Sequence, residues 1–285
     1  MPNQSSGYTF GAAGPPSVTA MAARQAGGAV DGFLLAYDGF DPEAEGLREA
    51  LTSTGNGYLC ARGAAEWEDA DGVHYPGTYV HGGYNRETTI LGGLPVLNED
   101  LVNMPNWLVL QLRIEGGDVI RLADVELLGY RHELDMRFAT VIRHLSFRDR
   151  EGRETALHSR RFVSMADAHH GGIEWTLVPG NWSGRVEVVT AIDGRVSNAG
   201  VARYRQLEGR HLNPVGPRTL GPEVIALKAE TRQSNRTSAT RAAPACSAAI
   251  SRSRSSGGST RWRTTSSRSW PSTCATARRR GWRSW

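Results

Sequence analysis

The 285-residue chain carries 33 Lys+Arg against 29 Asp+Glu, with 39% hydrophobic residues and three cysteines, which fits one large domain or two ordinary ones. The charge is unevenly placed: residues 236–285 hold eleven Arg, no Lys and no acid, leaving 22 basic against 29 acidic residues before them, so the sequence pI near 9.2 describes neither part and argues for no nucleic-acid partner. No apolar run approaches the roughly 18–20 residues that span a bilayer, residues 1–28 lack a basic region followed by an apolar signal core, and Cys60, Cys246 and Cys274 have no CxxC spacing; a membrane protein, a secreted precursor, a zinc site and a disulfide framework are set aside, and the cytoplasm is expected.

Residues 1–29, rich in Ser, Gly, Pro and Ala, read as a disordered lead-in. The stretch 30–37, VDGFLLAY, closed by the turn-like Asp38-Gly39, predicts an opening strand. Residues 43–52, EAEGLREALT, place Leu47 and Leu51 four apart on one face of a short helix, which the following TGNG stops. From Pro105 the apolar period shortens toward two, in WLVLQLRI (107–114), RFATVIRHLSF (137–147), ALHSRRFVSM (156–165), IEWTLV (173–178) and GRVEVVTAI (184–192). The connections DREGR (149–153) and PGNWS (179–183) suit an antiparallel meander. In the last strand Val186 and Val188 alternate with Glu187 and Val189, which puts one face against a core that a second sheet supplies. The expected fold is therefore mainly β: a large antiparallel β-sandwich over residues 30–235, with few short helices and a disordered C-terminal tail.

The tail itself, 236–285, contains twelve Ser, seven Thr, eight Ala and four Trp but no Leu, Val, Phe, Tyr or Met, and cannot build a core. One reading is an arginine-rich nucleic-acid arm in which Trp262, Trp270, Trp282 and Trp285 stack bases. The other is a GC-rich coding strand read out of frame, and that frameshift is the expectation here, with no nucleic-acid or membrane partner.

Among candidate functional residues, Gly55-Asn56-Gly57 lacks the frame of a phosphate-binding loop and predicts a tight turn with positive φ. Tyr58, Arg62, Tyr75, Tyr79, His81, Tyr84, Asn85 and Arg86 combine aromatic rings with hydrogen-bonding groups, as sugar sites do; the alternative is structural packing. His169-His170 on a strand would point to opposite faces and not chelate. The pairs Asp69/Asp71 and Glu133/Asp135 have no sign of a pocket to raise either pKa and read as solvated charge. Asn103, Pro105, Asn106 and Trp107 predict a turn before a central strand, with Trp107 in the core. No GxSxG elbow or traceable nucleophile–base pair is present, and no cofactor, metal or catalytic residue is assigned.

Four segments are distinctive together: LTSTGNGYLCARGAAEW (51–67), YPGTYVHGGYNR (75–86), LVNMPNW (101–107) and YRHELDMRFATVIRHLSFRDREGRETALHSRRFVSM (130–165). In their order and spacing they resemble the amino-terminal domain of glycoside hydrolase family 65, the maltose, trehalose and kojibiose phosphorylases and acid trehalases, over about residues 31–235 including the closing KAETRQSN (228–235). The resemblance implies a β super-sandwich that in full-length members packs on an (α/α)6 barrel, where a Glu general acid and phosphate or water cleave an α-glucosidic disaccharide with inversion. It also implies dimerisation in full-length relatives. Neither the catalytic Glu motif nor the phosphate loop has a counterpart here, so the expected function is that of a catalytically incomplete amino-terminal domain, inactive alone. The residues carried forward as substrate-proximal are Tyr75, Tyr79, His81, Tyr84, Asn85 and Arg86; a stand-alone carbohydrate-binding module is the alternative.

Overall fold

The computed structural model describes residues 32–115, 117–199, 206–220 and 224–243. The lead-in and residues 244–285, with Cys246, Cys274 and the four tail tryptophans, lie outside them.

The chain opens with β1 (Leu34–Asp38) and α1 (Pro42–Leu51). The helix starts where expected for chemical reasons: Asp41 caps it by accepting the Glu43 N–H at 3.1 Å, Pro42 occupies its first turn, and Glu43 and Glu45 complement the positive end of the helix dipole. Its buried face inverts the expectation. Leu47 and Leu51 are 64% and 51% exposed, whereas Glu45 and Glu49 are completely buried.

Three short strands follow, β2 (Thr54–Gly55), β3 (Leu59–Ala61) and β4 (Thr78–Val80), forming one small sheet, and then a separate hairpin of β5 (Tyr84–Leu91) and β6 (Leu94–Leu101). β7 (Leu110–Ile114) precedes a 3-10 turn, Leu122–Asp124. The long strands β8 (Glu126–Asp135), β9 (Thr140–Arg148), β10 (Glu154–Val163) and β11 (Gly171–Pro179) form with β1 a five-stranded antiparallel sheet in the order β1-β8-β9-β10-β11. β12 (Val186–Thr190) pairs with β7, and β13 (Leu212–Thr219), β14 (Ile225–Thr231) and β15 (Thr237–Ala242) make a further three-stranded sheet.

The loop at 149–153 joins two paired strands as the meander reading requires, but the one at 179–183 does not. It carries the chain from β11 in one sheet to β12 in another. Between those sheets lies the main core, where Leu112 and Ile114 of β7 meet Tyr130, Leu145, Phe147 and Leu157, with Trp67 among them. A second cluster, Val102, Met104, Leu212 and Ala229, joins the chain before β7 to the three-stranded sheet. Regular structure also continues past the composition break at 235/236, in the six residues of β15. Asn235 turns the corner at φ 50°, and Thr237–Ala242 then completes the β14 ladder through backbone groups, which do not depend on the apolar side chains this stretch lacks.

Candidate functional site

The densest collection of ionisable groups is buried where α1, the segment 62–67 and the inner face of β8–β10 meet. Inward positions of a sheet normally hold apolar residues, but the alternation of β8, β9 and β10 points His132, Arg143 and Arg161 inward, and α1 supplies Glu45 and Glu49 to meet them. The Tyr130 hydroxyl donates to Glu45 Oε1 at 3.0 Å and accepts from Arg143 Nε at 3.2 Å. Arg143 also donates to the carbonyls of Ala64, at 3.1 Å, and Gly63. Arg161 Nη1 donates to Glu66 Oε1 at 3.0 Å and to Ala64 O at 2.9 Å, and its Nη2 to Arg62 O at 2.9 Å. The segment 62–66 is thus held by guanidinium groups rather than by strand pairing. Such a loop can be buried because its carbonyls have charged donors.

Around Glu49 the same principle repeats. Oε1 bonds His74 Nδ1 and Oε2 accepts the Tyr75 N–H, both at 2.9 Å, while Arg62 approaches Oε2 to 3.8 Å. Burial alone lowers the His74 pKa, but the hydrogen bond and charge of Glu49 overcome it and hold the imidazole above its ordinary value. His132 goes the other way: burial first, then the charges of Arg143, Arg161 and Arg48, keep it neutral, and its Nε2 pairs with Thr52 Oγ1 at 3.0 Å. Burial pulls Arg161 down to about 10, so it stays charged near neutrality against Glu66.

Ligand atoms of Glu45, Glu49 and His74 all lie within 4.8 Å of one another, close enough in principle for a cation. The charge is already compensated, however. Arg48, Arg62 and Arg143 stand within 4 Å of these carboxylates; Tyr130 bonds Glu45 Oε1 and His74 and Tyr75 bond the two oxygens of Glu49, while Glu45 Oε2 is buried without a hydrogen-bond partner among the described residues. The arrangement is an ionic lock. The apolar cavity beside Trp67 has room for about 10 Å³ and the groove between the β7–β8 connection and the β9–β10 turn for about 360 Å³, and neither is lined by Glu45, Glu49, Glu66, Arg143 or Arg161.

The residues singled out from sequence fall in several places. Tyr75 and Tyr79 meet hydroxyl to hydroxyl at 3.5 Å; the Tyr75 hydroxyl donates to Ser197 O at 3.1 Å, and its ring carries Arg62 at 5.3 Å. Burial raises the Tyr79 phenol above its ordinary value. His81 is exposed and its backbone N–H donates to Tyr58 O at 2.7 Å, while the Tyr58 ring leans on His169 at 4.3 Å between centroids. Asn85 is fully buried: its amide bonds Glu87 and His211, both at 3.0 Å, and its carbonyl accepts the N–H groups of Gln233 and Ser234. Its neighbours Tyr84 and Arg86 are exposed on the hairpin, Arg86 paired with Glu99 at 2.9 Å.

The other candidates meet expectation only in part, since Glu133, expected as solvated charge, is only 13% exposed. Gly57 has φ 87°, and Asn56 Oδ1 accepts from the N–H groups of Tyr58 and Leu59 across the turn. Asp69 pairs with Arg121 and Glu133 with Arg131, His169 and His170 are exposed, and Asn106 Oδ1 accepts the Leu108 N–H at 3.0 Å. Trp107 is half-buried rather than central, its indole lying over the Gly171 backbone. The ionic lock itself was not foreseen. Its members are spread from Glu45 to Arg161, and the signal available was Arg143 and Arg161 at alternating positions of two strands, with Glu45 and Glu49 four apart on the helix.

Comparison with known proteins is consistent across three lines. Residues 35–273 match the model of the glycosyl hydrolase family 65 N-terminal domain. An uncharacterized glycosyl hydrolase of Mycobacterium tuberculosis is 45% identical over 204 residues, 72% of this chain and 15% of that protein. The kojibiose phosphorylase of Caldanaerobacter subterraneus is 31% identical over 204 residues, again 72% of this chain and 25% of its own length, and the trehalose 6-phosphate phosphorylase of Lactococcus lactis is 35% identical over 57% of this chain and 20% of its length. The solved structure of a candidate kojibiose phosphorylase from the human microbiome shares the fold, with a TM-score of 0.63 at 17% identity over 73% of this chain and 27% of its own. The chain therefore spans 15–25% of these curated relatives.

Proposed function

We propose, from the premise that this chain belongs to glycosyl hydrolase family 65 and matches that family's N-terminal domain, that it is the sandwich module of an enzyme acting on α-glucosidic disaccharides, supporting the chemistry rather than performing it. The observation that carries this reading is the state of the acids. An inverting phosphorylase or hydrolase needs a protonated carboxylic acid beside the glycosidic oxygen and an open position for the attacking phosphate or water. Here each of the buried carboxylates Glu45, Glu49 and Glu66 is engaged by an arginine, a tyrosine or a histidine, and none of them lines the apolar cavity beside Trp67 or the groove along the β7–β8 connection. Relatives named as kojibiose and trehalose 6-phosphate phosphorylases support a reading among disaccharide phosphorylases.

Two measurements test it. The purified chain should release no glucose 1-phosphate or glucose from kojibiose, trehalose or trehalose 6-phosphate, with or without phosphate; clear turnover overturns the reading. A chimera in which the matching segment of this chain replaces that of the Caldanaerobacter kojibiose phosphorylase should be soluble and active on kojibiose. A folded but inactive chimera would count against a supporting module.

A further inference from the structure

We propose that the groove between the β7–β8 connection and the β9–β10 turn binds a small polyol carrying a single anionic group, phosphate or carboxylate, with Arg113 as the residue that receives the charge. This goes beyond the proposed function and does not depend on it. The groove's volume of about 360 Å³ falls within the roughly 300–1,000 Å³ of small-molecule sites. It is lined by β7, through Arg113 and Ile114, and by residues from the stretches 117–125 and 149–153.

Four arginines line it, and three of them are already engaged. Arg121 pairs with Asp69 at 2.8 Å, Arg150 with Asp124 at 2.9 Å, and Arg153 with Asp149 at 2.6 Å and Glu151 at 2.9 Å. Arg113 is the exception. It makes no hydrogen bond or ion pair among the described residues, and even Glu187, its direct partner in the β7–β12 ladder, does not close on it. Its Nε is buried and unbonded, so a charged donor has been taken out of water and left unanswered, a cost that a bound oxyanion removes. A guanidinium presents its donors as a planar fork that matches two oxygens of a carboxylate or phosphate.

The acids of the lining decide what else the ligand carries. Asp124, Asp149 and Glu151 are neutralised by the pairs above, whereas Asp118 is exposed and has no partner among the described residues. Carboxylates accept hydroxyl hydrogens and repel a second negative charge. Such a lining admits one anionic group on Arg113, offers acceptors to the hydroxyls beside it and turns away polyanions. Val119, Ile120 and Val125 supply the apolar surface against which the C–H groups of a ring can lie.

Isothermal titration of the 285-residue chain with glucose 6-phosphate and, separately, with glucuronate should show saturable binding at a single site for at least one of them, tighter than that of glucose or of inorganic phosphate. Arg113→Gln should weaken this binding about tenfold or more, and Arg113→Lys, which keeps the charge without the fork, should fall between. Arg113 has no partner to lose among the described residues, so neither substitution should lower the melting temperature of the free chain; what Arg113→Gln should abolish is the upward shift that the ligand gives. No heat with either compound at about 10 mM overturns the proposal, and so does binding that Arg113→Gln leaves unchanged. Glucose binding as tightly as its phosphate would remove the anion from the account, and inorganic phosphate binding as tightly as both sugars would remove the polyol; either result also overturns it.

Discussion

At the scale of single residues, the fold rests on charges that are tolerable only in pairs. Arg161 and Glu66 are both essentially unexposed, so removing one leaves an uncompensated ion in the core. Arg161→Met should cost about 3–5 kcal/mol in urea unfolding, whereas the double variant Arg161→Met/Glu66→Leu should recover most of the loss, since a buried pair is often replaceable by apolar groups of similar volume. Recovery would be incomplete because Arg161 also satisfies the Arg62 and Ala64 carbonyls. His74 gives the lock a pH dependence. Its folded pKa lies above the ordinary 6.5, so its contribution is fully present below the unfolded value and is lost as pH rises through the folded one. The stability difference between the protein and His74→Gln should therefore shrink from pH 6 upward. His132 and His211, whose pKa values are lowered first by burial, act with the opposite sign: both resist protonation when folded, so their contribution falls as pH drops below about 6.5. A difference measurement that stayed flat between pH 6 and 8 would remove His74 from the account.

At the scale of elements, the hinge of the arrangement is the contact between the end of α1 and the loop at Gly63. A Cβ on Gly63 would come within 1.9 Å of Thr52 Oγ1 and 3.0 Å of its carbonyl oxygen, and that hydroxyl is already fixed by Arg48 O and His132. Gly63→Ala should cost roughly 1–3 kcal/mol by overpacking, visible as a lower urea midpoint with an unchanged slope. This contact also marks how far the sequence was legible. The long strands were, because β9, β10 and β11 alternate over nine or ten residues between turns with their own chemistry. The helix was placed correctly and oriented wrongly, because Leu47 and Leu51 signal an apolar face only if the core they would enter is apolar. Here Arg62 and Arg143 wait there instead, and glutamate at the same four-residue spacing wins. β8 escaped because Arg131, His132 and Glu133 break its apolar period, and the pairing of β12 with β7 is a long-range choice that no local pattern encodes.

At the scale of the whole molecule, the open question is what the segment after residue 235 contributes. The family match continues to residue 273 and β15 forms six cross-strand pairs with β14, although the composition changes abruptly at 236. Both run past residue 235, where the resemblance was expected to stop, and neither supports the expectation that 236–285 is read out of frame. Ladder bonds are made by backbone that any non-proline residue supplies, and Thr237 and Thr240 suit a strand whatever their origin. β15 nonetheless covers one edge of β14, whose Leu227 and Ala229 are buried. A chain ending at Ala243 should melt within a degree or two of the full chain, while one ending at Asn235 uncovers that edge and should lose about 2 kcal/mol, roughly 4–8 °C. The lost strand would also leave β14 as an unpaired template, so the shorter chain should aggregate more readily on heating. Equal melting of all three lengths would mean that β15 adds nothing and that the domain is complete at the closing KAETRQSN, where Gln233 and Ser234 already bind Asn85.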